Sequence, residues 1–535
     1  MFEYDPEFRL VRGGAYGTGY HTRLAAGTPV HPLRESIYLA VTLLDAEDPA
    51  GWATAYDLIA AVLSLQDIDP THTTYGIWPW FAEEPLTDMA PPDWNWADFI
   101  GAPTAELLIR RSERLPSELA AGMRTALGHA AWSIFRRNVG PGYTNIAIMG
   151  AAVALAAGEL LGDPRLVSYA VARLHTCAEY YAWVGGLTEY NSPTYTIIAL
   201  EEAERTLRLG RDPLALAGAA RLQRLAWETI AEHWHAPTGQ WAGPHSRCYQ
   251  NLVAPETAAL LAHKTGLDFA PADTVAPAWA VAGPPCPADL RARFATIIPG
   301  SIRRRFSRDD AHPERDQWGS TWMDGEACLG SISRDTTWTQ RRPVVAYWRT
   351  TREAACLRVR MLKDGKDFSS GQVWTTQEGS RVLAGVTLVT DQGDWHCSLD
   401  RPASGTFTGT ALTLRIELTA HDPRAAVDAS GFTLHAGRHH ARISPGPVVV
   451  DGIATTWTHG HTDGVAWVEA PLPVAWPLKT IAISEFSACL GIEFEPTSPA
   501  EIPLVVNTDA TWQTTTWQGL SLRWPRQPGP ACGPG

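Results

Sequence analysis

The order of apolar and polar residues along the first half of the chain predicts helices. From about Leu33 to Lys264, apolar residues recur at spacings of three and four, the period of an amphipathic helix. Examples of these segments are LRESIYLAVTLLDAED, WATAYDLIAAVLSLQDI and TNIAIMGAAVALAAGELLG. Helix-ending and helix-starting residues separate them, as in GDP at 162–164 and GRDP at 210–213. Successive helix pairs of ~35–45 residues without a sharp repeat favour an incomplete (α/α) toroid.

The pattern changes after a proline-rich passage at 270–290. Beyond it, segments such as VVAYWRTT, ACLRVRML and RVLAGVTLVTD alternate apolar and polar residues between Gly, Pro and Asp turns, which predicts antiparallel strands. We therefore predict an α+β multidomain protein. Its two domains are an (α/α) toroid at 1–285, which carries the catalytic residues, and an antiparallel β-sandwich at 286–535.

Length and composition narrow the class of protein. A chain of 535 residues is too long for one compact core, and 45% apolar with 19% charged residues is ordinary for a soluble globular protein. The net charge of −13 argues against nucleic acid as a partner. MFEYDPEFRL lacks the pattern of a secretory signal, and no segment reads as long and uncharged enough to cross a bilayer. We expect a cytoplasmic protein with no membrane partner; self-association as a homo-oligomer stays open.

The stretch TYGIWPWFAEEPLTDMAPPDWNWADF, at 74–99, is rich in tryptophans and carboxylates. Its prolines disfavour a helix, and its aromatic content exceeds what a solvated loop needs. Flat rings stack on sugar faces and amides bond hydroxyl groups, so the loop is predicted to bind a saccharide. The predicted contacts are Trp78, Trp80, Trp94, Asn95 and Trp96. The alternative is a loop folded around its own tryptophans as a small core.

Three further loops supply an amide, phenols, an imidazole and a guanidinium. They are YTNIAIM, GGLTEYNSPTY and GPHSRCY, each between predicted helices or at the end of one. In a toroid, alternate loops converge on one mouth, so these groups are predicted to share a site. The predicted catalytic residues are Tyr195, His245, Asn145, Arg247 and Tyr249. Predicted substrate contacts from the second loop are Glu189, Tyr190 and Asn191.

Such a set of groups suits the abstraction of a proton next to a carboxylate. The proton alpha to the C6 carboxylate of a uronic acid is too weakly acidic to leave while that carboxylate keeps its full charge. An amide and an arginine bonded to the carboxylate disperse the charge. A tyrosinate or neutral histidine then takes the proton, and a tyrosine protonates the departing glycosidic oxygen. This chemistry requires neither a metal nor an organic cofactor.

The segment GGLTEYNSPTYTIIAL resembles the loop-helix element of the heparinase II/III-like and alginate-lyase-like polysaccharide lyases. Those proteins combine an α/α toroid with an antiparallel β domain. The resemblance implies that Tyr195 is the acid, or both acid and base, and that Asn145 pairs with the substrate carboxylate. In many of these lyases a histidine follows that asparagine, whereas here Ile146 does. Either His245 fills the place or one tyrosine does both jobs, so syn and anti elimination both stay open.

The resulting prediction is a carbon–oxygen lyase that cleaves a uronate glycosidic bond by β-elimination and leaves an unsaturated uronate. Without an export signal it would meet imported oligosaccharides, so exo-action is expected. Arg342, in the β half, is predicted to contact substrate, with a solvated surface turn as the alternative. One other function is a glycoside hydrolase using two of Asp93, Asp98 and Glu189. Another is a glycan-binding module without catalysis.

Overall fold

The computed structural model describes residues 3–17, 21–46, 48–269, 271, 273–276, 278–428, 431–495 and 503–531. By contacts the chain forms two compact units that interleave along the sequence. Unit 1 comprises Met1–Trp183, Ile197–Ala226 and Val275–Pro285, and unit 2 comprises Val184–Thr196, Trp227–Thr274 and Cys286–Gly535. The sequence analysis divides the chain into consecutive domains, 1–285 and 286–535, and this division stays a prediction.

Helices occupy the N-terminal part of the chain, with bounds close to those that the apolar periodicity predicts. In chain order the helices are α1 (Leu33–Asp45), α2 (Trp52–Ser64), α3 (Trp96–Arg110), α4 (Ser117–Arg137), α5 (Thr144–Leu161), α6 (Pro164–Val184), α7 (Tyr195–Leu209), α8 (Pro213–His233), α9 (Pro255–Thr265), α10 (Ala278–Val281) and α11 (Ala292–Ala295). A small three-stranded sheet precedes them, formed by β1 (Glu3–Asp5), β2 (Leu10–Gly14) and β3 (Pro29–Val30).

Helix α5 lies in the core of unit 1. It is built almost wholly of Ala, Gly and larger apolar residues, and it ends where Gly162 adopts a left-handed conformation (φ 67°). Gly150 lets it approach α3 and α4, since a Cβ there would lie 2.8 Å from Asp98 Oδ1 and 2.9 Å from Ile134. By length and composition α5 could cross a membrane, so the expectation that no segment could do so is wrong for this helix; 83% of it is buried inside the structure, as in a core helix.

Two antiparallel sheets dominate unit 2. The strands after a hairpin of β4 (Trp234–His235) and β5 (Gln240–Trp241) are β6 (Gly300–Ser307), β7 (Gln317–Met323), β8 (Ala327–Ile332), β9 (Arg334–Thr336), β10 (Val344–Trp348), β11 (Ala355–Lys363), β12 (Lys366–Asp367), β13 (Gly371–Glu378), β14 (Arg381–Leu388), β15 (Thr406–Phe407), β16 (Leu412–Thr419), β17 (Arg424–Asp428), β18 (Gly431–Ala436), β19 (His439–Val450), β20 (Ile453–Thr455), β21 (Thr458–Thr462), β22 (Val465–Pro471), β23 (Leu478–Lys479), β24 (Phe486–Phe494), β25 (Val505–Thr508), β26 (Trp512–Trp517) and β27 (Leu520–Pro525).

The larger sheet has nine strands in the order β21-β22-β16-β11-β10-β8-β7-β6, with β12 beside β11. The second has eight in the order β17-β18-β19-β24-β14-β13-β9, with β20 beside β19. Apolar residues of both sheets form one buried core, as in a sandwich. In β11, Leu357 and Val359 belong to this core, whereas Arg358 alternates to the other face and bonds Glu417. The predicted fold class, a helical N-terminal part followed by an antiparallel β-sandwich, is confirmed.

Candidate active site

Three segments of unit 2 come together through backbone hydrogen bonds. The N–H of His245 donates to the carbonyl of Arg342 (3.2 Å), and the N–H of Arg342 donates back (2.8 Å). The N–H of Cys248 donates to Gln340 O (2.6 Å), and that of Ser246 to Tyr190 O (3.1 Å). The segment 245–248 is therefore held between the glycine-rich loop at 185–195 and the turn at 338–342.

Arg247 is at the centre of this arrangement. Its Nε donates to Gln340 Oε1 (2.6 Å), its Nη1 to Glu189 Oε1 (2.8 Å) and its Nη2 to the hydroxyl of Tyr195 (2.9 Å). The guanidinium carbon lies 4.3 Å from the centre of the Tyr195 ring and 5.0 Å from that of Trp338. Both side chains of the ion pair are largely buried, with 18% of Arg247 and 9% of Glu189 exposed. The guanidinium is thus fixed in position from several sides.

Tyr195 and Tyr249 share a hydrogen bond beside this guanidinium. Their hydroxyl oxygens are 2.7 Å apart, and Arg247 Nη2 lies 3.4 Å from the Tyr249 oxygen. Tyr249 is half exposed, so the pair is open to solvent. Ser192 determines where Tyr195 sits: its Oγ accepts the N–H of Tyr195 (2.9 Å) at the start of α7. A cation next to a phenolic oxygen stabilises a negative charge on it, so Tyr195 can both take and return a proton.

Two residues predicted to act on the substrate are instead buried and bonded to the protein. Asn191, at φ 43°, donates to the carbonyls of Ala242 (2.8 Å) and Pro244 (2.9 Å) and accepts from Trp241 Nε1 (2.5 Å). Its amide therefore holds the loop rather than a ligand. His245 is fully buried, and its Nδ1 donates to the Asn191 carbonyl (2.7 Å). Burial lowers the pKa of His245 to about 3, so the imidazole is neutral.

Tyr190 and Arg342 also lie inside unit 2 rather than at a surface. The Tyr190 hydroxyl donates to Asp335 Oδ2 (2.6 Å), its ring stacks on Phe306 (4.9 Å), and burial raises its pKa well above the usual range. Arg342 is 5% exposed and donates to the carbonyls of Thr339 (2.6 Å) and Arg341 (2.9 Å). Arg342 stabilises the turn that carries Gln340, whereas Tyr190 connects its loop to β6 and β9.

The tryptophan loop lies in unit 1, and most of it forms a core. Trp78, Trp80 and Trp96 are at most 5% exposed, and Trp80 stacks on Trp96 at 5.0 Å. Trp78 Nε1 donates to Val62 O (2.9 Å) and Trp80 Nε1 to Asp93 Oδ2 (3.1 Å). These three rings thus follow the small-core alternative, because their faces are covered by protein. Trp94 is partly exposed, and its Nε1 donates to Thr73 O (2.9 Å).

Asn95 and Asn145 are also residues of unit 1. Asn95 Nδ2 donates to the Tyr143 hydroxyl (3.0 Å), and its Oδ1 accepts from Arg137 Nη1 (2.7 Å). Asn145 is fully buried in the first turn of α5, and its role at a substrate carboxylate stays a prediction. Neither Arg137 nor Tyr143 was predicted as a site residue, although Tyr143 opens the segment YTNIAIM. The contact between Tyr143 and Asn95 joins residues 48 positions apart, which no local pattern indicates.

The three carboxylates that a hydrolase could use, Glu189, Asp93 and Asp98, differ in their bonding partners and burial. Glu189 is ion-paired with Arg247. Asp93 accepts from Trp80 and from the N–H of Asn95 (3.0 Å). Asp98 is 2% exposed, and burial raises its pKa to about 7. Of the three, only Glu189 adjoins the tyrosine pair, where its charge is balanced by the guanidinium.

A family model described as "Domain of unknown function (DUF8769)" matches residues 16–267. No curated protein matches the chain. The chain is similar to the chondroitin AC lyase of Streptomyces coelicolor A3 in complex with chondroitin sulphate, at 9% identity and a TM-score of 0.49, over 90% of this chain and 78% of that one. It is also similar to the heparan sulfate lyase HepC of Pedobacter heparinus, at 10% identity and a TM-score of 0.38, over 92% and 82%. Both of those proteins are lyases by name, and a likeness at this identity concerns the fold alone.

Proposed function

We propose that this protein is a lyase that cleaves a glycosidic bond next to a uronic acid by β-elimination. The observation that carries the proposal is the Tyr195 hydroxyl, 2.9 Å from Arg247 Nη2 and 2.7 Å from the Tyr249 hydroxyl at a solvent-open position. A phenol in contact with a fixed cation and a second phenol is equipped for proton transfer. A binding module has no need of that arrangement.

In the proposed reaction, ionised Tyr195 takes the proton at C5 of the uronate, alpha to its carboxylate. The C5–H electron pair becomes the C4=C5 double bond, and the bond between C4 and the glycosidic oxygen breaks. Tyr195 then returns its proton to the departing oxygen, so the enzyme ends as it began. One residue in both roles implies elimination on one face of the ring. Neutral, buried His245 supports this version, because its Nδ1 is already bonded to Asn191.

Arg247 and Glu189 act through Tyr195 in this proposal. The guanidinium stabilises the phenolate by charge and by a hydrogen bond to its oxygen. Glu189 neutralises and orients the guanidinium through the other terminal nitrogen, Nη1. The stabilisation of the substrate carboxylate is assigned to Asn145 on the sequence resemblance. We further propose a cytoplasmic protein that acts from the ends of imported oligosaccharides.

The test is incubation of the full chain with uronate-containing oligosaccharides, while absorbance of the new C4=C5 double bond is followed in the ultraviolet. A lyase produces this absorbance together with one new reducing end per cleavage. A hydrolase produces reducing ends without absorbance, and a binding module produces neither. With a long polymer, viscosity should fall slowly relative to the number of new ends; an early sharp fall would contradict exo-action.

A further inference from the structure

Arg137, the last residue of α4, carries an exposed guanidinium that is held in a defined position. Its Nη1 donates to Asn95 Oδ1 at 2.7 Å. No acidic side chain in the described ranges forms an ion pair with Arg137. The amide oxygen of Asn95 orients the Arg137 guanidinium but, being neutral, does not balance its positive charge.

The amide that holds Arg137 is itself fixed. Asn95 is 9% exposed, its N–H donates to Asp93 Oδ1 (3.0 Å), and its Nδ2 donates to the Tyr143 hydroxyl (3.0 Å). Its oxygen therefore has to face Arg137. Trp94 precedes it in the chain, and the bond from its indole to Thr73 O (2.9 Å) fixes the orientation of that partly exposed ring. The guanidinium of Arg137 and the phenol of Tyr143 are thus joined through the side chain of Asn95 in unit 1.

A second arginine and two acids, Asp93 and Asp98, lie around this position. Arg173, 7% exposed, donates to the Ala147 carbonyl (2.9 Å) and to Asn138 Oδ1 (3.2 Å), and within the described residues it too lacks a carboxylate ion pair. Asp98 is a buried acid, and the charges of Arg137 and Arg173 both favour its ionised form. Because burial raises its pKa to about 7, it balances only part of their charge near neutral pH.

We propose that Arg137, positioned by Asn95 next to Tyr143, binds the carboxylate or sulfate group of an acidic saccharide. A guanidinium has five N–H donors, and one of them is used by Asn95. An oxyanion with two free oxygens accepts a parallel pair from the remainder. The inference rests on the proposed function, which it deepens by naming the anionic group that unit 1 recognises. Asn95 is a positioning residue in this site, and Arg137 is the contact.

The experiment compares Arg137→Gln with Arg136→Gln by calorimetric titration of the full chain. Arg136 is the matched control, because it is also exposed at the end of α4 but bonds Pro70 O (3.1 Å) and stacks on Tyr75 (4.3 Å). The probes are an unsulfated oligouronate and a sulfated glycosaminoglycan hexasaccharide. We expect Arg137→Gln to raise the Kd roughly ten- to hundredfold, the scale of a charge-assisted hydrogen bond. Arg136→Gln should stay within about threefold of the parent, as expected for a side chain outside the site.

Loss of affinity for both probes identifies a carboxylate contact, and loss for the sulfated probe alone identifies a sulfate contact. Equal Kd values for Arg137→Gln and Arg136→Gln would overturn the proposal, as would the absence of binding of either probe to the parent protein. Binding and catalysis are read separately. If the parent yields no double-bond absorbance but Arg137→Gln still loses binding, the lyase proposal fails and the anion site stands.

Discussion

Replacing Tyr195 with phenylalanine removes one oxygen and tests the proposed chemistry directly. The change deletes the hydrogen bonds to Arg247 Nη2 (2.9 Å) and the Tyr249 hydroxyl (2.7 Å), while the ring can keep its 4.3 Å contact with the guanidinium. Since Tyr249 is half exposed and Arg247 keeps its bonds to Gln340 and Glu189, the loss of folding free energy should be about 1–2 kcal/mol. Turnover should fall by ~10²–10⁴, the usual worth of general acid–base catalysis. KM should change far less, because the lost interaction acts in the transition state.

The matched control for this variant is Tyr190→Phe. It also removes one phenolic oxygen five residues away, but that oxygen bonds the buried carboxylate of Asp335 (2.6 Å). Arg341 still bonds the other oxygen of that carboxylate (2.6 Å), so we expect a stability loss of roughly 1–3 kcal/mol. Turnover of the folded fraction should be nearly unchanged. Initial rates from double-bond absorbance and melting curves measure both quantities. If Tyr195→Phe keeps parental turnover on a substrate that the parent cleaves, the assignment of Tyr195 is refuted.

Three further changes test other parts of the argument. Asn145→Ala should lower turnover by ~10²–10³, the worth of one donor to a developing oxyanion; a stability loss with normal turnover in the folded fraction would make the amide structural. Glu189→Gln should lower turnover by at least about tenfold, because Arg247 loses the charge that orients it; unchanged rates would separate Glu189 from the site. Asp98→Asn should change the pH dependence of stability. Its folded pKa of about 7 exceeds the ordinary 3.8, so the folded state keeps a proton and parental stability falls as pH rises from about 4 to 7, by up to about 4 kcal/mol. Denaturant titrations across this range should show a flatter profile in Asp98→Asn; an identical slope would contradict the buried, protonated state.

The sequence by itself determined the elements and their class. Apolar residues at spacings of three and four place α1 and α5, and alternation places β11, within a few residues of their observed bounds. These signals are readable because a helix or a strand face is defined by neighbours only two to four positions apart. The start of α7 at Tyr195 is similarly local, since Ser192 caps it from three residues away.

Only the tertiary structure decided which polar groups meet. Arg247 bonds Glu189, 58 positions away, and Gln340, 93 positions away, because the backbone of 245–248 pairs with both flanking segments. No local pattern indicates such partners. The same holds for burial: Asn191 and His245 have residue types suited to catalysis, yet their hydrogen-bonding atoms meet buried carbonyls. The sequence determines which functional groups a side chain carries. Its partners depend on long-range backbone pairing, which places the side chain next to a carbonyl, another side chain or solvent.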